Sequence, residues 1–374
     1  MKNFSSESDP ILPSQIPDQE ERSSAKCEWD FRISAVISSF VTDGPISDTL
    51  GVIEVNSSGT LFATGGIARK IRVYSLSSLL SISPSGAEEP PLVDHATACL
   101  FCICTPAKLS SLKWKPGFAG RVMGSADYDG VVTEYDLETK MSIFERDEHN
   151  GRRVWSMDYS HWDPVVGASG SDDGTMQMWD PRHDGGKCVA TVQLGSPVCC
   201  VEFCPFGGAM LAVGCADRKA YVYDVRKMDK AVAVFNGHER TVSYTRFLDD
   251  RTVMTSGTDG CLKMWDVENQ RLIRTYRGHT NQRRFVGLSI WRNEGLIGCG
   301  SESNEMFVYD KRWGEPIWVH GFEPEGGTRR SEYGFVSSIC WSQQGEDECT
   351  LVGGGSDGVV KTFSGKRKPL INLR

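Results

Sequence analysis

The 374-residue sequence lacks long apolar runs and the short motifs of several large enzyme classes. No apolar stretch approaches the roughly 18 residues of a membrane span, and no apolar core of about 7–15 residues follows the N-terminus, so we expect neither a span nor a signal peptide. The patterns GxxxxGK[ST] and HExxH are absent, and no GxGxxG stands at a strand–helix junction. These absences favour a non-enzymatic protein without a cofactor.

Basic surface and paired metal ligands are also scarce. The formal net charge is −8, which argues against broad nucleic-acid binding because such binding draws on basic surface. The 13 cysteines are odd in number and mostly lie in strand patterns, as Cys199 and Cys340 do, so we expect small buried hydrophobes in a reducing compartment. The cluster Cys99, Cys102 and Cys104 has no second CxxC pair or spaced histidine, so we predict no metal site.

Glycine is abundant, with 39 residues, and much of it falls in a repeated pattern. Each copy has small residues, a turn, an alternating run and a final aromatic that is usually followed by Asp, as in GSDDGTMQMWD. The final aromatics are Tyr74, Tyr135, Trp179, Tyr223, Trp265, Tyr309 and Phe363, at intervals of 61, 44, 44, 42, 44 and 54 residues. Periods of about 40–45 residues are typical of propeller blades.

The repeats predict an all-β fold, a seven-bladed WD-repeat β-propeller over residues 27–374, with insertions at the two long intervals. Residues 1–26 are rich in Ser, Pro and acids and lack a strand or helix pattern, so we interpret them as a disordered N-terminal tail. Phe31–Ile37 alternates like a strand, whereas the last repeat ends with the apolar run Leu370–Leu373. Because an unpaired edge would break the ring, we expect the N-terminal strand to join the last blade.

One set of residues superficially resembles a hydrolase triad. The third copy contains His149, Ser169, Asp173 and Trp179, and the fifth copy contains His238, Thr255, Asp259 and Trp265. In WD-repeat proteins a His–Ser/Thr–Asp–Trp chain of this spacing fastens the blade, so we expect a structural role. The sixth copy keeps His279 but has Cys299 and Ser303 at two of the other positions, so we expect packing alone to hold that blade.

Cations and aromatics concentrate in the loops before the inner strands and in the turns between second and third strands, which share one rim of a propeller. The candidates for peptide binding are Lys108, Tyr128, Arg153, Trp155, Arg218, Arg240, Arg283 and Phe285. A solvated charged rim is the alternative. Clustered Arg with aromatic rings is typical of binding hot spots, and Arg pairs with carboxylates, which predicts an acidic peptide with a small apolar anchor as ligand.

Several blocks resemble a known plant family. CEWDFRISAVISSF, ATGGIARKIRVY, SADYDGVVTEYD, RRVWSMDYS and RGHTNQRRFVGL are similar to the WD-repeat domain of the constitutive photomorphogenic ubiquitin ligase and its suppressor-of-phytochrome relatives. Within that group the sequence most resembles the short repressor of UV-B photomorphogenesis (RUP) proteins. The resemblance covers roughly residues 27–374 and includes loops as well as the repeat skeleton.

The resemblance implies a rim that binds Val-Pro peptides flanked by acids, as in the C-terminal tail of the UV-B photoreceptor and in light-signalling transcription factors. The family's peptide-contacting positions fall on Lys108, Tyr128, Arg153, Trp155, Arg240 and Phe285. Arg240 stands where the ligase has Lys. The planar guanidinium of Arg, which can donate two parallel hydrogen bonds, replaces the compact ammonium of Lys. This difference leaves the ligand preference open.

The resemblance also implies negative regulation of UV-B signalling. The RUP proteins bind the active photoreceptor, displace the ubiquitin ligase and promote photoreceptor redimerisation, so we expect a protein of the nucleus and cytoplasm with these partners. This chain has only a short tail ahead of its propeller, so we do not expect it to recruit a ubiquitin-conjugating enzyme through a RING.

A second functional interpretation comes from Trp179-Asp180-Pro181-Arg182, which matches the WDxR pattern by which many WD-repeat proteins dock on the cullin-4 adaptor. The residues that would dock are Trp179, Asp180 and Arg182. The alternative is that Arg182 pairs with a neighbouring acid. If docking operates, the protein is a substrate receptor of a cullin-4 ubiquitin ligase that targets light-signalling transcription factors.

Overall fold

The computed structural model describes residues 27–39, 48–82, 90–183, 188–322 and 334–369. These residues form seven β-sheets with almost no helix, which confirms the predicted seven-bladed propeller. The two helices are short: α1 (Leu76–Ile82) and α2 (His95–Ala98). The predicted tail, residues 1–26, lies outside the described residues.

Each of blades 1 to 6 is a four-stranded antiparallel meander whose strands follow one another from the inner edge outward. Blades 1 to 3 are β2 (Leu50–Val55), β3 (Leu61–Gly66), β4 (Lys70–Ser75) and β6 (Cys99–Cys104); β7 (Leu109–Trp114), β8 (Val122–Asp127), β9 (Val132–Asp136) and β10 (Met141–Arg146); and β11 (Val154–Tyr159), β12 (Gly167–Ser171), β13 (Thr175–Trp179) and β14 (Cys188–Gln193). Blades 4 to 6 are β15 (Val198–Phe203), β16 (Met210–Cys215), β17 (Lys219–Asp224) and β18 (Ala233–Asn236); β19 (Val242–Phe247), β20 (Thr252–Gly257), β21 (Cys261–Asp266) and β22 (Arg271–Tyr276); and β23 (Leu288–Trp291), β24 (Leu296–Cys299), β25 (Glu305–Asp310) and β26 (Pro316–Gly321).

Blade 7 closes the ring with a strand from the other end of the chain. It consists of β27 (Val336–Trp341), β28 (Glu348–Gly355), β29 (Val360–Arg367), β1 (Trp29–Ser38) and the short β5 (Leu92–Asp94). β1 pairs antiparallel with β29, which confirms the predicted closure, and β5 pairs parallel with β1. The insertion at the longest repeat interval therefore crosses from blade 1 to blade 7. The predicted run Leu370–Leu373 lies outside the described residues.

The core fills the spaces between neighbouring blades, because alternating side chains of each sheet point toward the next sheet. Trp179 of blade 3, for example, is 0 % exposed and packs in a cluster with Val132 and Tyr159. Gly167 makes this packing possible, since a Cβ there would lie 2.3 Å from the Trp179 ring. Strand cysteines such as Cys199 and Cys340 are buried as expected, whereas Cys102 and Cys104 of β6 are exposed. All 13 cysteines have free thiols.

The predicted blade fasteners are complete in blade 5 and partial in blade 3. His238 is hydrogen-bonded to Asp259 and Thr255, and the Trp265 indole N–H donates to the same Thr255 hydroxyl at 2.8 Å. In blade 3 His149 reaches Asp173 and Ser169. However, the Trp179 indole N–H has no hydrogen-bond partner among the described residues, so the predicted fourth link is wrong there.

Blades 1 and 6 use histidine differently. The expectation that packing alone holds blade 6 is wrong, because His279 Nδ1 lies 3.0 Å from the Tyr309 hydroxyl. The insertion of blade 1 supplies His95, whose ring nitrogens lie 2.8 Å from the Tyr74 hydroxyl and 2.9 Å from the Gly358 carbonyl. His95 thereby ties blade 1 to blade 7.

None of the helices in the described part of the chain has the length and apolar character to cross a lipid bilayer.

Candidate peptide-binding site at the channel mouth

The loops before the inner strands and the turns between second and third strands form one rim of the propeller, which we call the upper rim. Backbone hydrogen bonds join the two sets within a blade. The Tyr128 amide donates to the Lys108 carbonyl, and the Asp172 amide donates to the Arg153 carbonyl, both at 2.9 Å. These hydrogen bonds fix the backbone of each loop against its turn. The backbone positions that carry the rim side chains are therefore fixed.

Four of the predicted residues meet at the mouth of the central channel and are called the aromatic cluster: Tyr128, Arg153, Trp155 and Phe285. The Arg153 guanidinium lies 4.2 Å from the centre of the Tyr128 ring and 4.5 Å from that of Trp155. The Trp155 and Phe285 ring centres are 4.6 Å apart. Because Trp155 belongs to blade 3 and Phe285 precedes blade 6, this contact spans the channel mouth.

Arg153 is positioned by its stacking contacts, and its guanidinium has N–H groups that are not used in hydrogen bonds within the described residues. Its closest carboxylate is Asp172, whose Oδ2 lies 3.8 Å from Arg153 Nε, too far for a hydrogen bond. Arg153 Nε is buried and has no hydrogen-bond partner within the described ranges. The side chain as a whole is 34% exposed, and a guanidinium offers four further donors on its two terminal nitrogens. The cluster thus combines half-buried rings with a cation that can receive a carboxylate.

Asp172 also orients Trp155. The indole N–H of Trp155 donates to Asp172 Oδ1 at 2.5 Å. A charge-assisted hydrogen bond of this kind fixes a ring more firmly than a neutral one. Asp172 therefore fixes the rotation of the Trp155 ring and places a negative charge beside Arg153.

The loop that carries Arg283 and Phe285 is held by one carboxylate. Glu302 Oε1 accepts the backbone N–H groups of Gln282, Arg283 and Arg284 at 3.0, 2.6 and 2.8 Å. Burial would raise the pKa of Glu302, but these amide donors and the charge of Arg284 outweigh it and hold the pKa below its ordinary value. Glu302 is thus ionised at neutral pH and fixes the backbone immediately before Phe285.

A cavity of about 590 Å³ extends from this mouth into the channel. Tyr128, Trp155, Arg283 and Phe285 are among its lining residues, as is Tyr244, whose ring centre lies 5.9 Å from that of Phe285. The size falls within the roughly 300–1,000 Å³ that ligand pockets occupy.

The charges deeper in the channel are paired with each other. Glu54 lies 2.9 Å from Lys113, and Glu202 lies 3.1 Å from Arg292 and 3.6 Å from Arg246. The opposite charges of each pair largely cancel, so these pairs exert little net electrostatic attraction on a ligand. The cations that are available to a peptide carboxylate therefore lie at the mouth rather than inside the channel.

The remaining predicted peptide-binding residues lie around the cluster or apart from it. Lys108 and Arg240 are exposed, and Arg240 Nη1 donates to the Gln282 carbonyl at 3.3 Å, which joins it to the Arg283 loop. Arg218 is exposed in the blade 4 turn with φ of 76° and makes no ion pair or ring contact within the described residues. The structure brings five of the eight candidates into the cavity mouth or the cluster.

Sequence reasoning missed three residues that shape the site. Tyr244 forms part of the wall, Asp172 orients Trp155, and Glu302 holds the Phe285 loop. Asp172 is adjacent to Asp173 in a repeated turn, so the pattern offers no way to separate their roles. Tyr244 has a signal, because it stands at an alternating position of an inner strand.

The opposite rim, which we call the lower rim, contains the WDxR residues. Trp179 is completely buried, so its side chain cannot contact an adaptor, and only Asp180 and Arg182 of the predicted docking set reach the surface. Arg182 pairs with Asp180 at 2.7 Å and with Asp163 at 2.5 Å. Arg226 pairs with Asp224 and Arg312 with Asp310 in the same way, so this arginine is a recurrent element of the turn.

Among the described residues, no three His, Cys, Asp or Glu side chains are grouped so as to hold a metal ion.

Comparisons with known proteins place the chain among plant regulators. The chain is 60% identical over 329 residues to the WD repeat-containing protein RUP2 of Arabidopsis thaliana, covering 86% of this chain and 89% of that protein. It is 56% identical over 348 residues to Arabidopsis RUP1, covering 91% and 86%. It is 35% identical over 314 residues to the Arabidopsis E3 ubiquitin-protein ligase COP1, but spans only 44% of that protein. The sequence model of a β-propeller family described as nucleolar protein 10-like, N-terminal domain, matches residues 156–310.

Proposed function

The chain belongs to the RUP family of WD-repeat proteins, which is related to COP1, and on this premise we propose that it acts without catalysis as a receptor for acidic Val-Pro peptides. It is a WD-repeat regulatory protein. The observation that carries the finer proposal is the aromatic cluster, in which Arg153 is stacked between two rings and keeps unused hydrogen-bond donors.

Each part of the peptide has a matching group. Trp155 and Phe285 offer a flat apolar surface to a Val-Pro pair, whose proline ring is already rigid and therefore costs little entropy on binding. Arg153 pairs with a carboxylate of the peptide. Lys108, Arg240 and Arg283 attract the flanking acids from exposed positions, and Arg218 extends this field toward blade 4.

The regulatory consequence follows from competition. A chain that binds the Val-Pro tail of the UV-B photoreceptor in the same manner as the COP1 WD-repeat domain excludes that domain from the tail. We assign it a negative role in UV-B signalling, in the nucleus and the cytoplasm, in which it displaces the ubiquitin ligase and promotes redimerisation of the photoreceptor.

A displacement assay tests this proposal. A fluorescent photoreceptor-tail peptide is bound to immobilised COP1 WD-repeat domain, the full chain is added, and the peptide that remains on the immobilised domain is measured. Wild-type chain should remove the peptide from the domain in proportion to its concentration. Trp155→Ala and Arg153→Ala should fail to displace it, whereas Arg226→Ala on the lower rim should act as wild type. Equal displacement by all variants would refute the proposal.

The second candidate function is that of a substrate receptor on the cullin-4 adaptor. The favouring observation is that Arg182, 56% exposed, lies on the rim opposite the aromatic cluster, so a peptide and an adaptor have separate surfaces. Arg182→Ala should abolish binding to purified adaptor and leave peptide affinity unchanged. Arg226→Ala is the matched control, and adaptor binding that survives Arg182→Ala would remove this candidate.

A further inference from the structure

A further arginine–aromatic pair lies at the channel mouth, on the side away from Arg153. The Arg284 guanidinium lies 4.3 Å from the centre of the Phe335 ring, which is close to the distances that join Arg153 to the Tyr128 and Trp155 rings. Arg284 and Phe335 both line the cavity that opens at the mouth. They directly precede the inner strands of blades 6 and 7, whereas Arg153 precedes that of blade 3. The two arginines therefore lie on opposite sides of the mouth.

The backbone fixes both members of this pair. The Arg284 amide donates to Glu302 Oε1 at 2.8 Å. The Phe335 amide donates to Ser356 Oγ at 3.1 Å, and the Ser356 amide donates to the Phe335 carbonyl at 2.9 Å. Phe335 is only 8% exposed, whereas Arg284 is exposed. The ring is therefore a fixed support, and the guanidinium that covers it forms the surface that a ligand meets.

The Arg284 guanidinium forms no ion pair with a carboxylate in the part of the chain that the structure describes. The acid that acts on it is Glu302, but Glu302 Oε1 already accepts three backbone N–H groups. The charges of Arg284 and Glu302 partly offset each other, so long-range attraction from this side is weak. An arginine that covers a ring uses its flat face for that contact and keeps the N–H groups at its edge. Arg284 can therefore receive a carboxylate through direct hydrogen bonds.

The neighbouring Arg283 differs from Arg284 in how its side chain is held. Arg283 is exposed and lines the cavity, but its guanidinium makes no ring contact or ion pair within the described ranges. Ordering such a side chain on a ligand costs conformational entropy. Arg284 has already lost part of that freedom on the Phe335 ring. Of the two arginines, Arg284 is the one suited to a carboxylate at a fixed position.

We infer that Arg284, supported by Phe335, is a specificity-determining residue that receives a second carboxylate of the peptide. The inference rests on the proposed function. Arg153 takes an acid on one side of the Val-Pro pair and Arg284 takes an acid on the other side, while Trp155 and Phe285 hold the pair between them. The chain therefore prefers peptides with an acid on each side of Val-Pro over peptides with acids on one side alone.

Calorimetric titration of the full chain with synthetic Val-Pro peptides tests the inference. The peptides carry Glu on both sides of Val-Pro, on either side alone or on neither side, with Gln in place of each missing acid, and a series shifts each acid by one residue to find the best spacing. The second acid should tighten binding by about two- to fivefold. Arg284→Ala should abolish this gain, and Arg284→Lys should keep only part of it, because Lys retains the charge but not the planar contact. Arg277→Ala, which changes another exposed arginine outside the cavity lining, is the matched control and should keep the full gain.

The outcomes separate this inference from the proposed function. If Trp155→Ala weakens all the peptides but the gain from the second acid survives Arg284→Ala, the inference is wrong and the proposed function stands. The inference is also wrong if Arg153→Ala and Arg284→Ala remove the effect of the same acid. If none of the peptides binds, or if Trp155→Ala binds them as wild type does, both fail. A gain that Arg284→Ala loses at an unchanged melting temperature supports the inference, because a purely structural contact between blades 6 and 7 would not depend on the acid of the peptide.

Discussion

At the scale of single residues, Asp172 and Asp173 stand side by side in one turn but serve different partners. Asp173 is bonded to His149 and belongs to the blade fastener, whereas Asp172 is bonded to the Trp155 indole. Asp172 has two opposing effects on a peptide acid: it orients the ring that the peptide contacts, and its charge opposes Arg153. Two substitutions separate these effects.

Asp172→Asn retains an oxygen acceptor for the Trp155 indole and removes the negative charge. We expect this variant to bind an acidic Val-Pro peptide more tightly than wild type, by a factor of about 2–5, since surface charge pairs are worth up to roughly 1 kcal/mol. Asp172→Ala also releases the ring and should bind about three- to tenfold more weakly than Asp172→Asn, because one hydrogen bond contributes on the order of 1 kcal/mol. Equal affinity of the two variants by calorimetry would contradict the double role.

At the scale of elements, β1 decides whether the ring closes. It pairs along its length with β29, and its buried residues include Trp29, Ala35 and Ile37. Trp29 packs edge-on against Trp291 of blade 6, with ring centres 5.1 Å apart. The strand thus supplies both the fourth strand of blade 7 and a contact with the neighbouring blade 6.

Deleting residues 27–38 together with the preceding segment should lower the melting temperature by on the order of 10 °C or more, because it exposes the edge of β29 and buried apolar surface. Deletion of residues 1–26 alone is the control, and the two proteins are compared by calorimetric melting. Identical melting curves would show that β1 does not close the ring.

At the scale of the whole molecule, buried histidines hold the blades: His95 ties blade 1 to blade 7, and His149 and His279 make hydrogen bonds to blades 3 and 6. Burial lowers the pKa of His279 to about 4, and burial likewise lowers the pKa of His95 and of His149 against the opposing hydrogen bonds to Gly358 and Asp173. The unfolded chain takes up protons near pH 6.5, whereas these folded sites resist them. The stabilisation is therefore complete above about pH 6.5 and is lost as the pH falls toward the folded pKa values.

We expect the free energy of unfolding to fall by about 2 kcal/mol between pH 7 and pH 5 from His279 alone. Urea denaturation at several pH values measures this change. His279→Asn should be less stable at pH 7 and should show a shallower dependence on pH. A wild-type unfolding free energy that stays constant over this range would contradict the account.

The repeat spacing is enough to predict the blades and their order. The closing strand is predicted by the alternation of Phe31–Ile37 and by the need to pair the edge of the last blade. Neither signal is enough to predict the cluster geometry. The Trp155–Phe285 contact depends on a loop conformation that Glu302 fixes from another turn, and His95 lies in an insertion that has no period. The WDxR pattern indicates Trp179 as a docking residue because Trp is the first residue of that pattern, whereas the strand alternation directs its ring into the core.

The central claim is that an acidic Val-Pro peptide binds in the aromatic cluster, and calorimetric titration with a photoreceptor-tail peptide at two salt concentrations tests it most directly. Trp155→Ala should weaken binding on the order of 30-fold at both concentrations, since hot-spot truncations cost about 2–4 kcal/mol. Arg283→Ala should act mainly on the salt dependence, and Trp162→Ala on the lower rim should bind as wild type. Wild-type affinity in both Trp155→Ala and Arg153→Ala would contradict the account.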